Sequence, residues 1–241
     1  MARRSHSRDA SENLVQVTTD SISLSGNLQI PDKAQGIVLF AHGSGSSRLS
    51  PRNRLVAEVL QEGGLATLLI DLLTPDEEEV DRWSGGLRFD IDLLTERLVG
   101  ATDWLKQHPP AKSLNVGYFG ASTGAAAALK AVTLRPGSVR AIVSRGGRPD
   151  LAAPELHRVM SPTLLIVGGA DPLVIDLNRQ AMRLLAGEKR LEIVPGAGHL
   201  FEEPGALEAV AGLARRWFQR HLVTGPDSGQ GNGAGPGGAG G

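Results

Sequence analysis

The sequence predicts an α/β protein whose mostly parallel, doubly wound sheet has about eight strands, with helices on both faces and no large lid. Three observations lead to this prediction. The chain has 241 residues, of which 41% are hydrophobic, and this suffices for one large domain with a sizeable core. Short apolar runs alternate with longer helical patterns, as crossover helices require. From the third run onward the strands are almost continuously apolar, which is typical of strands covered on both faces.

Eight apolar runs are predicted to be the strands. They span 14–19, 22–30, 36–41, 66–71, 114–119, 140–145, 163–168 and 190–195. The first two are expected to pair antiparallel at the start of the sheet, and the later ones to be parallel.

Amphipathic periodicity predicts the helices between the strands. One apolar stripe, spaced 4-3-4-3-4, consists of Leu87, Ile91, Leu94, Leu98, Ala101 and Leu105. A last helix after Pro204 is expected to dock on the sheet through Leu207, Val210, Ala214, Trp217 and Phe218. Residues 146–161 and the region after Leu72 have room for a short helix at most. The acidic stretch at 76–81 is interpreted as a solvated loop.

The two ends are excluded from the predicted domain. Residues 1–13 are interpreted as a flexible leader, because no apolar region follows their basic residues. Residues 225–241 form a Gly-rich tail that has too little apolar surface to offset the entropy of ordering, so we expect it to be disordered. The α/β domain is therefore assigned to residues 14–224.

Charge and cysteine content exclude several classes of function. With 25 basic and 26 acidic residues, the formal net charge is -1, so nothing favours nucleic acid or an anionic membrane as partner. The absence of cysteine excludes disulfides, thiolate metal sites and a thiol nucleophile. No run approaches the length of a membrane span. We expect a cytoplasmic monomer or homodimer acting on a small molecule, without nucleic acid or membrane.

The segment Gly120-Ala121-Ser122-Thr123-Gly124 matches G-x-S-x-G between a predicted strand and a predicted helix. In this context the motif indicates a tight turn that exposes a nucleophilic serine above the carboxyl edge of the sheet. Helix N–H groups behind the serine favour negative charge. The alternative is a Gly-rich turn in which Ser122 is an ordinary helix N-cap.

A serine nucleophile needs a base and a group that orients the base, both from loops after later strands. Asp171 follows the seventh strand and His199 follows the eighth, so the order Ser122, Asp171, His199 fits a catalytic triad. The competing acids fit less well: Asp176 lies inside a helix pattern, and Glu202 and Glu203 follow His199 too closely. The other histidines lie in the leader, in a loop or at helix ends; they are His6, His42, His108, His157 and His221.

An oxyanion hole is predicted from the Gly-rich loop at 42–47, which follows the third strand. Its donors are assigned to the backbone N–H groups of Ser44 and Thr123. A phosphate loop is the rival interpretation, but neither G-x-G-x-x-G nor G-K-[ST] is present.

The motifs HGSGSS, GASTG, GGADP and GAGH together resemble the α/β-hydrolase superfamily, and in particular its lidless dienelactone-hydrolase-like branch, over about residues 14–222. Dienelactone hydrolases proper carry cysteine at the nucleophile position of this turn, whereas this chain has Ser122. The resemblance therefore implies a general serine esterase rather than an enzyme for dienelactones.

These observations together predict a serine carboxylesterase for short-chain or exposed esters, with no metal and no organic cofactor. The predicted apolar walls of its pocket are Leu49, Leu72, Trp83 and Phe201. Arg145 is a candidate for holding a substrate carboxylate, with a salt bridge to a nearby acid as the alternative. Other functions remain open on the same fold: a lactonase, a thioesterase, a peracid-forming enzyme or a non-catalytic binding module.

Overall fold

Eight strands form one sheet in the computed structural model, which describes residues 13–19 and 22–223. Their bounds are β1 Asn13–Thr19, β2 Ile22–Gln29, β3 Ile37–Ala41, β4 Ala66–Ile70, β5 Val116–Ala121, β6 Val139–Arg145, β7 Thr163–Gly168 and β8 Lys189–Val194. All eight predicted strands are thereby confirmed. The predicted tail lies outside the described residues, as does the predicted leader except for Asn13, which begins β1.

The strand order is β1-β2-β4-β3-β5-β6-β7-β8. The strand β2 is antiparallel to both β1 and β4, and every other neighbouring pair is parallel. The carboxyl ends of β3 to β8 therefore meet at one edge of the sheet, where loops can bring distant residues together.

Six α-helices and two 3₁₀ segments occur among the described residues. Their bounds are α1 Pro51–Glu62, α2 Pro75–Ser84, α3 Ile91–Gln107, α4 Thr123–Leu134, α5 Pro172–Leu184 and α6 Ala206–Leu222, with 3₁₀ segments at Leu87–Phe89 and Pro149–Arg158. Buried residues of α1 and α6 belong to the core on one face of the sheet. Those of α3 and α4, with Ala181 of α5, belong to the core on the other face, while Val174 and Ile175 of α5 form a small cluster with Val167. The sheet is thus covered on both faces, as predicted.

Two local predictions need correction. Leu87 is not part of the long helix, because the side chain of Asp90 accepts a hydrogen bond from Leu93 N–H and begins α3 there. The acidic stretch at 76–81 is not a loop but lies in α2. Thr74 and Glu77 form a capping box at the start of that helix, and acidic residues in a first turn are favoured by the helix dipole.

The described helices contain no segment that is both long enough and apolar enough to cross a lipid bilayer.

Candidate active site

Ser122 lies at a sharp turn between β5 and α4. Its backbone has φ 49° and ψ −119°, a strained conformation for a residue with a side chain. The two glycines of the motif make this turn possible. A Cβ on Gly120 would lie 2.5 Å from Ala125 Cα, and one on Gly124 would lie 2.3 Å from Ala41 O. Because these neighbours are backbone atoms, only glycine allows the strand and helix to approach so closely.

The N-terminus of α4 lies directly behind Ser122. No side chain caps this end of the helix, so the N–H groups of Thr123 and Gly124 have no side-chain acceptor. The alternative in which Ser122 is an ordinary N-cap is therefore not what the structure shows, since its hydroxyl accepts no capping hydrogen bond.

Asp171 follows β7 and begins α5 as its N-cap. Its Oδ2 lies 2.8 Å from Nδ1 of His199, which follows β8. A carboxylate can only accept at neutral pH, so Nδ1 carries the proton and Nε2 is left with the free lone pair. The side chain of His199 is 40% exposed, which leaves this lone pair accessible. With Nδ1 held by Asp171, Nε2 is the ring nitrogen that can accept a proton.

The loop that carries His199 is fixed by hydrogen bonds on both sides. Glu203 accepts from Gly198 N–H through Oε1 at 2.9 Å. Ala170 N–H donates to Ala197 O at 2.8 Å, joining this loop to the one that carries Asp171. Sequence spacing indicates Glu203 only as a competing acid, because its supporting role depends on a turn that spacing does not reveal.

The segment Arg145-Gly146 connects Ser122 and His199 in space. Ser122 N–H donates to Arg145 O at 3.2 Å. A Cβ on Gly146 would lie 3.5 Å from both Cε1 and Nδ1 of His199. The nucleophile candidate and the base candidate therefore flank the same dipeptide at the edge of the sheet.

The Gly-rich loop at 42–47 touches the serine turn from the side of β3. A Cβ on Gly43 would lie 3.1 Å from Ser122 Cβ. The N–H of Ser44 donates to Thr123 Oγ1 at 3.0 Å. The structure thus places both predicted oxyanion-hole residues beside Ser122, but the Ser44 N–H already has an acceptor.

His42 fixes the position of this loop rather than taking part in a triad. Its Nε2 accepts from Leu72 N–H at 3.1 Å, and its Nδ1 lies 3.0 Å from Gly43 O, so Nδ1 carries the proton. Burial lowers the pKa of His42, although the hydrogen bond to Gly43 and the carboxylates of Asp71 and Glu78 act in the opposite direction.

A cavity of about 570 Å³ opens beside the Gly-rich loop. Its walls come from that loop, the start of α1, the helix α2 and the residues on either side of α2. Five charged side chains line it: Arg52, Arg82, Arg88, Glu78 and Asp81. Asp81 and Arg88 form an ion pair, in which the carboxylate is almost fully buried. The cavity is therefore more polar than the apolar pocket that the sequence suggested.

The predicted substrate-binding residues are found in different environments. Leu49 lines the cavity and is half exposed. Leu72 and Phe201 are buried in the cores on the two faces of the sheet and do not line the cavity. Trp83 is 90% exposed and also lies outside the cavity lining. Of these four predicted wall residues, only Leu49 is in the wall of this cavity.

Arg145 is 8% exposed at the end of β6, next to the serine turn. Its Nε and Nη1 are buried without a hydrogen-bond partner among the described residues. Burial, together with the nearby charge of Arg52, lowers its pKa to about 10. The salt bridge considered as an alternative for Arg145 is not formed within the described part of the chain, so the guanidinium can pair with a ligand.

Other candidates lie away from this group. Asp176 is exposed on α5 and pairs with Arg179. Glu202 pairs with Arg52 at 3.1 Å. His108 stacks on Trp104 at the end of α3. Within residues 13–19 and 22–223, no three His, Asp or Glu side chains are grouped as metal ligands would be.

Known proteins resemble this chain in both sequence and fold. A family model described as "Alpha/beta hydrolase family" matches residues 2–213. The chain is 63% identical to a dienelactone hydrolase from Anabaena variabilis, with a TM-score of 0.86 over 87% of this chain and 97% of that one. An esterase from Pyrococcus furiosus is 19% identical with a TM-score of 0.67 over 87% of this chain and 90% of the other, a similarity that shows the fold alone.

A curated relative from Mycobacterium tuberculosis is named as a phosphoribosyl transferase. It is 57% identical over 208 residues, which cover 86% of this chain but 46% of the relative. The chain therefore spans about half the length of this curated relative.

Proposed function

The chain belongs to the alpha/beta hydrolase family, and from this membership we propose that it is a serine carboxylesterase acting through an acyl-serine intermediate. Its substrates are short-chain or exposed esters. The observation that carries the proposal is the 2.8 Å contact between His199 Nδ1 and Asp171 Oδ2, at the sheet edge where the strained turn presents Ser122.

The proposed reaction begins with Ser122. Nε2 of His199 accepts the hydroxyl proton while Oγ attacks the ester carbonyl carbon. The negative charge that develops on the carbonyl oxygen is stabilised by the backbone N–H of Thr123. A second donor lies at the loop that carries Ser44. The alcohol then leaves with the proton returned by His199, and the acyl group stays on Ser122.

Water completes the cycle. His199 accepts a proton from a water molecule, whose oxygen attacks the acyl carbonyl and releases a carboxylic acid and free Ser122. Asp171 holds the imidazole in the required tautomer during both steps. None of these steps needs a metal or an organic cofactor.

The substrate is proposed to extend from the serine turn toward the cavity beside the 42–47 loop. Leu49 supplies an apolar contact in that cavity, and its arginines favour polar or negatively charged groups. Arg145 is a candidate for pairing with a substrate carboxylate, because burying a guanidinium without a partner is costly. Because charged side chains line much of the cavity, short acyl groups are favoured over long apolar chains.

Lactone hydrolysis is the second candidate. The observation that favours it is the 63% identity to a protein named as a dienelactone hydrolase, which the chain covers almost completely. A lactone is a cyclic ester, so the same three side chains would act on it. Phosphoribosyl transfer is assigned by name to the mycobacterial relative, of which this chain matches 46%.

A fluorophosphonate probe tests the proposed nucleophile. We expect the wild-type protein to be labelled and the Ser122→Ala variant to be unlabelled, while Ser23→Ala, on the exposed part of β2, keeps full labelling. A folded wild-type protein that resists labelling would instead indicate a binding module.

A panel of p-nitrophenyl esters of increasing length, assayed beside lactones and thioesters, then identifies the substrate class. Ester rates that fall steeply beyond short acyl groups support the carboxylesterase.

A further inference from the structure

Thr123 carries a hydroxyl group that the reaction described above does not use. We propose that this hydroxyl, and not the Ser44 N–H, donates the second hydrogen bond to the oxyanion formed at Ser122. The inference rests on the proposed acyl-serine reaction and assigns a catalytic role to a side chain that the motif leaves variable.

The Ser44 N–H is not available in this structure. It donates to Thr123 Oγ1 at 3.0 Å, across 79 residues of sequence. A backbone N–H has one hydrogen and makes one good hydrogen bond. The predicted pair of backbone donors therefore lacks its second member as long as this bond persists.

The hydroxyl of Thr123 can also donate a hydrogen bond. A hydroxyl can accept and donate at the same time, and no described residue accepts the Thr123 proton. Other helical threonines behave differently. Thr95 and Thr133 donate to backbone carbonyls of their own helices, at 2.6 Å and 2.8 Å. Thr123 is the first residue of α4, so it has no preceding helical turn to bond to.

The bond from Ser44 also makes the hydroxyl a better donor. Hydrogen bonds in a chain polarise one another, so a hydroxyl that accepts from an N–H donates more strongly. Thr123 is 3% exposed, and its Oγ1 is held by the Gly-rich loop, so little reorganisation is needed as charge develops. The Ser44 N–H thus acts through the threonine side chain, while Thr123 supplies both its N–H and its hydroxyl.

The isosteric substitution Thr123→Val removes the hydroxyl and keeps the branched shape. Losing one oxyanion donor lowers kcat by about a hundredfold to a thousandfold in other enzymes, and we expect a loss in this range with p-nitrophenyl acetate. Because the bond is made only in the transition state, KM should change little. Thr123→Ser should keep kcat within about tenfold of wild type, since it restores the donor.

Thr133→Val is the matched control, because it makes the same change in the same helix far from the turn; its kcat should equal that of the wild type. Affinity for a trifluoromethyl ketone, which forms a tetrahedral adduct with serine, should fall with kcat in Thr123→Val and not in Thr133→Val. Should Thr123→Val not fold, Thr123→Ala carries the same expectation.

A Thr123→Val or Thr123→Ala enzyme as fast as the wild type, or faster, would overturn the proposal and assign the donor to the Ser44 N–H. Failure of the acyl-serine reaction gives a different result. In that case fluorophosphonate does not label the wild type, and both proposals are wrong. Labelling that is lost in Ser122→Ala, combined with full activity in Thr123→Val, rejects the threonine role alone.

Discussion

Asp171 serves two neighbours with one carboxylate. Oδ1 accepts from Val174 N–H at the start of α5, at 3.5 Å, and Oδ2 binds His199. The helix cap is long and weak, whereas the contact with the imidazole is short. We therefore infer that the carboxylate matters more for orienting His199 than for holding α5.

Replacing Asp171 by Asn should separate these two tasks. An amide can still cap α5, but it can stabilise the imidazole tautomer that lacks the free Nε2 lone pair. We expect kcat to fall by about 10⁴-fold, as a wrong tautomer does elsewhere, with little change in thermal unfolding. Steady-state kinetics on p-nitrophenyl acetate give the first quantity and a melting curve gives the second.

Asp176→Asn provides the control. Asp176 is an exposed acid in α5, five residues after Asp171, and among the described residues it pairs only with Arg179. Its activity should match the wild type. Were Asp171→Asn to lose less than about tenfold, another acid would have to orient His199.

At the level of elements, the turn between β5 and α4 depends on contacts between backbones. A Cβ on Gly124 would approach both Ala41 O and His42 O within 2.5 Å, so Gly124→Ala must push α4 away from β3. We expect the free energy of unfolding to fall by about 3 kcal/mol, the upper part of the range for overpacking. Urea denaturation measures this change.

The matched control is Gly86→Ala, where a Cβ would meet nothing within 4 Å and the backbone has φ −91°. Its unfolding midpoint should be unchanged. Equal stability of the two variants would show that the helix and the strand can separate at no cost.

His42 joins the ends of β3 and β4, and its burial makes this link sensitive to pH. Because the pKa of His42 is lowered in the folded protein, the unfolded chain binds more protons than the folded one below its ordinary pKa of about 6.5. The contribution of His42 to stability is therefore complete above that pH and decreases as the pH falls through it.

Measuring the free energy of unfolding from about pH 7.5 to pH 5 in wild type and His42→Asn tests this link. We expect the wild type to lose more stability on acidification than the variant, in which the titrating group is absent. Parallel curves for the two proteins would mean that His42 is as easily protonated in the folded state as in the unfolded one.

The strands and the triad candidates could be predicted because they follow local patterns. Apolar runs fix the strands, and the positions of Asp171 and His199 directly after two of them place both at one edge. The assignment of residues 76–81 to a loop is wrong because their acidic side chains suggested solvent rather than the capped first turn of α2. The bond from Ser44 to Thr123 could not be foreseen, since it joins residues far apart in sequence and depends on a side-chain rotamer.

At the level of the whole molecule, α6 closes the core on one face of the sheet. Phe218 is fully buried there, and a Cβ on Gly117 of β5 would lie 2.7 Å from its ring. Phe218→Ala should lower the free energy of unfolding by about 3–5 kcal/mol, as large-to-small changes of phenylalanine in cores do. Chemical denaturation measures the loss.

The exposed Arg216, on the same helix, supplies the comparison; Arg216→Ala should stay within about 0.5 kcal/mol of the wild type. The residual activity of folded Phe218→Ala protein should be normal, because the ring packs beside Gly117 near the start of β5, whereas Ser122 follows the end of that strand. A loss of activity without a loss of stability would contradict this separation of core and site.

The cavity and the triad candidates come from different lengths of the polypeptide. The walls of the cavity are built by residues between His42 and Leu94, whereas the three candidate reactive side chains all come after residue 121. The Gly-rich loop at 42–47 lines the cavity and also touches the serine turn. Sequence changes confined to Pro75–Phe89, whether natural or engineered, can therefore alter which substrates the protein binds without altering the chemical steps. We expect close relatives to diverge in substrate faster than in mechanism.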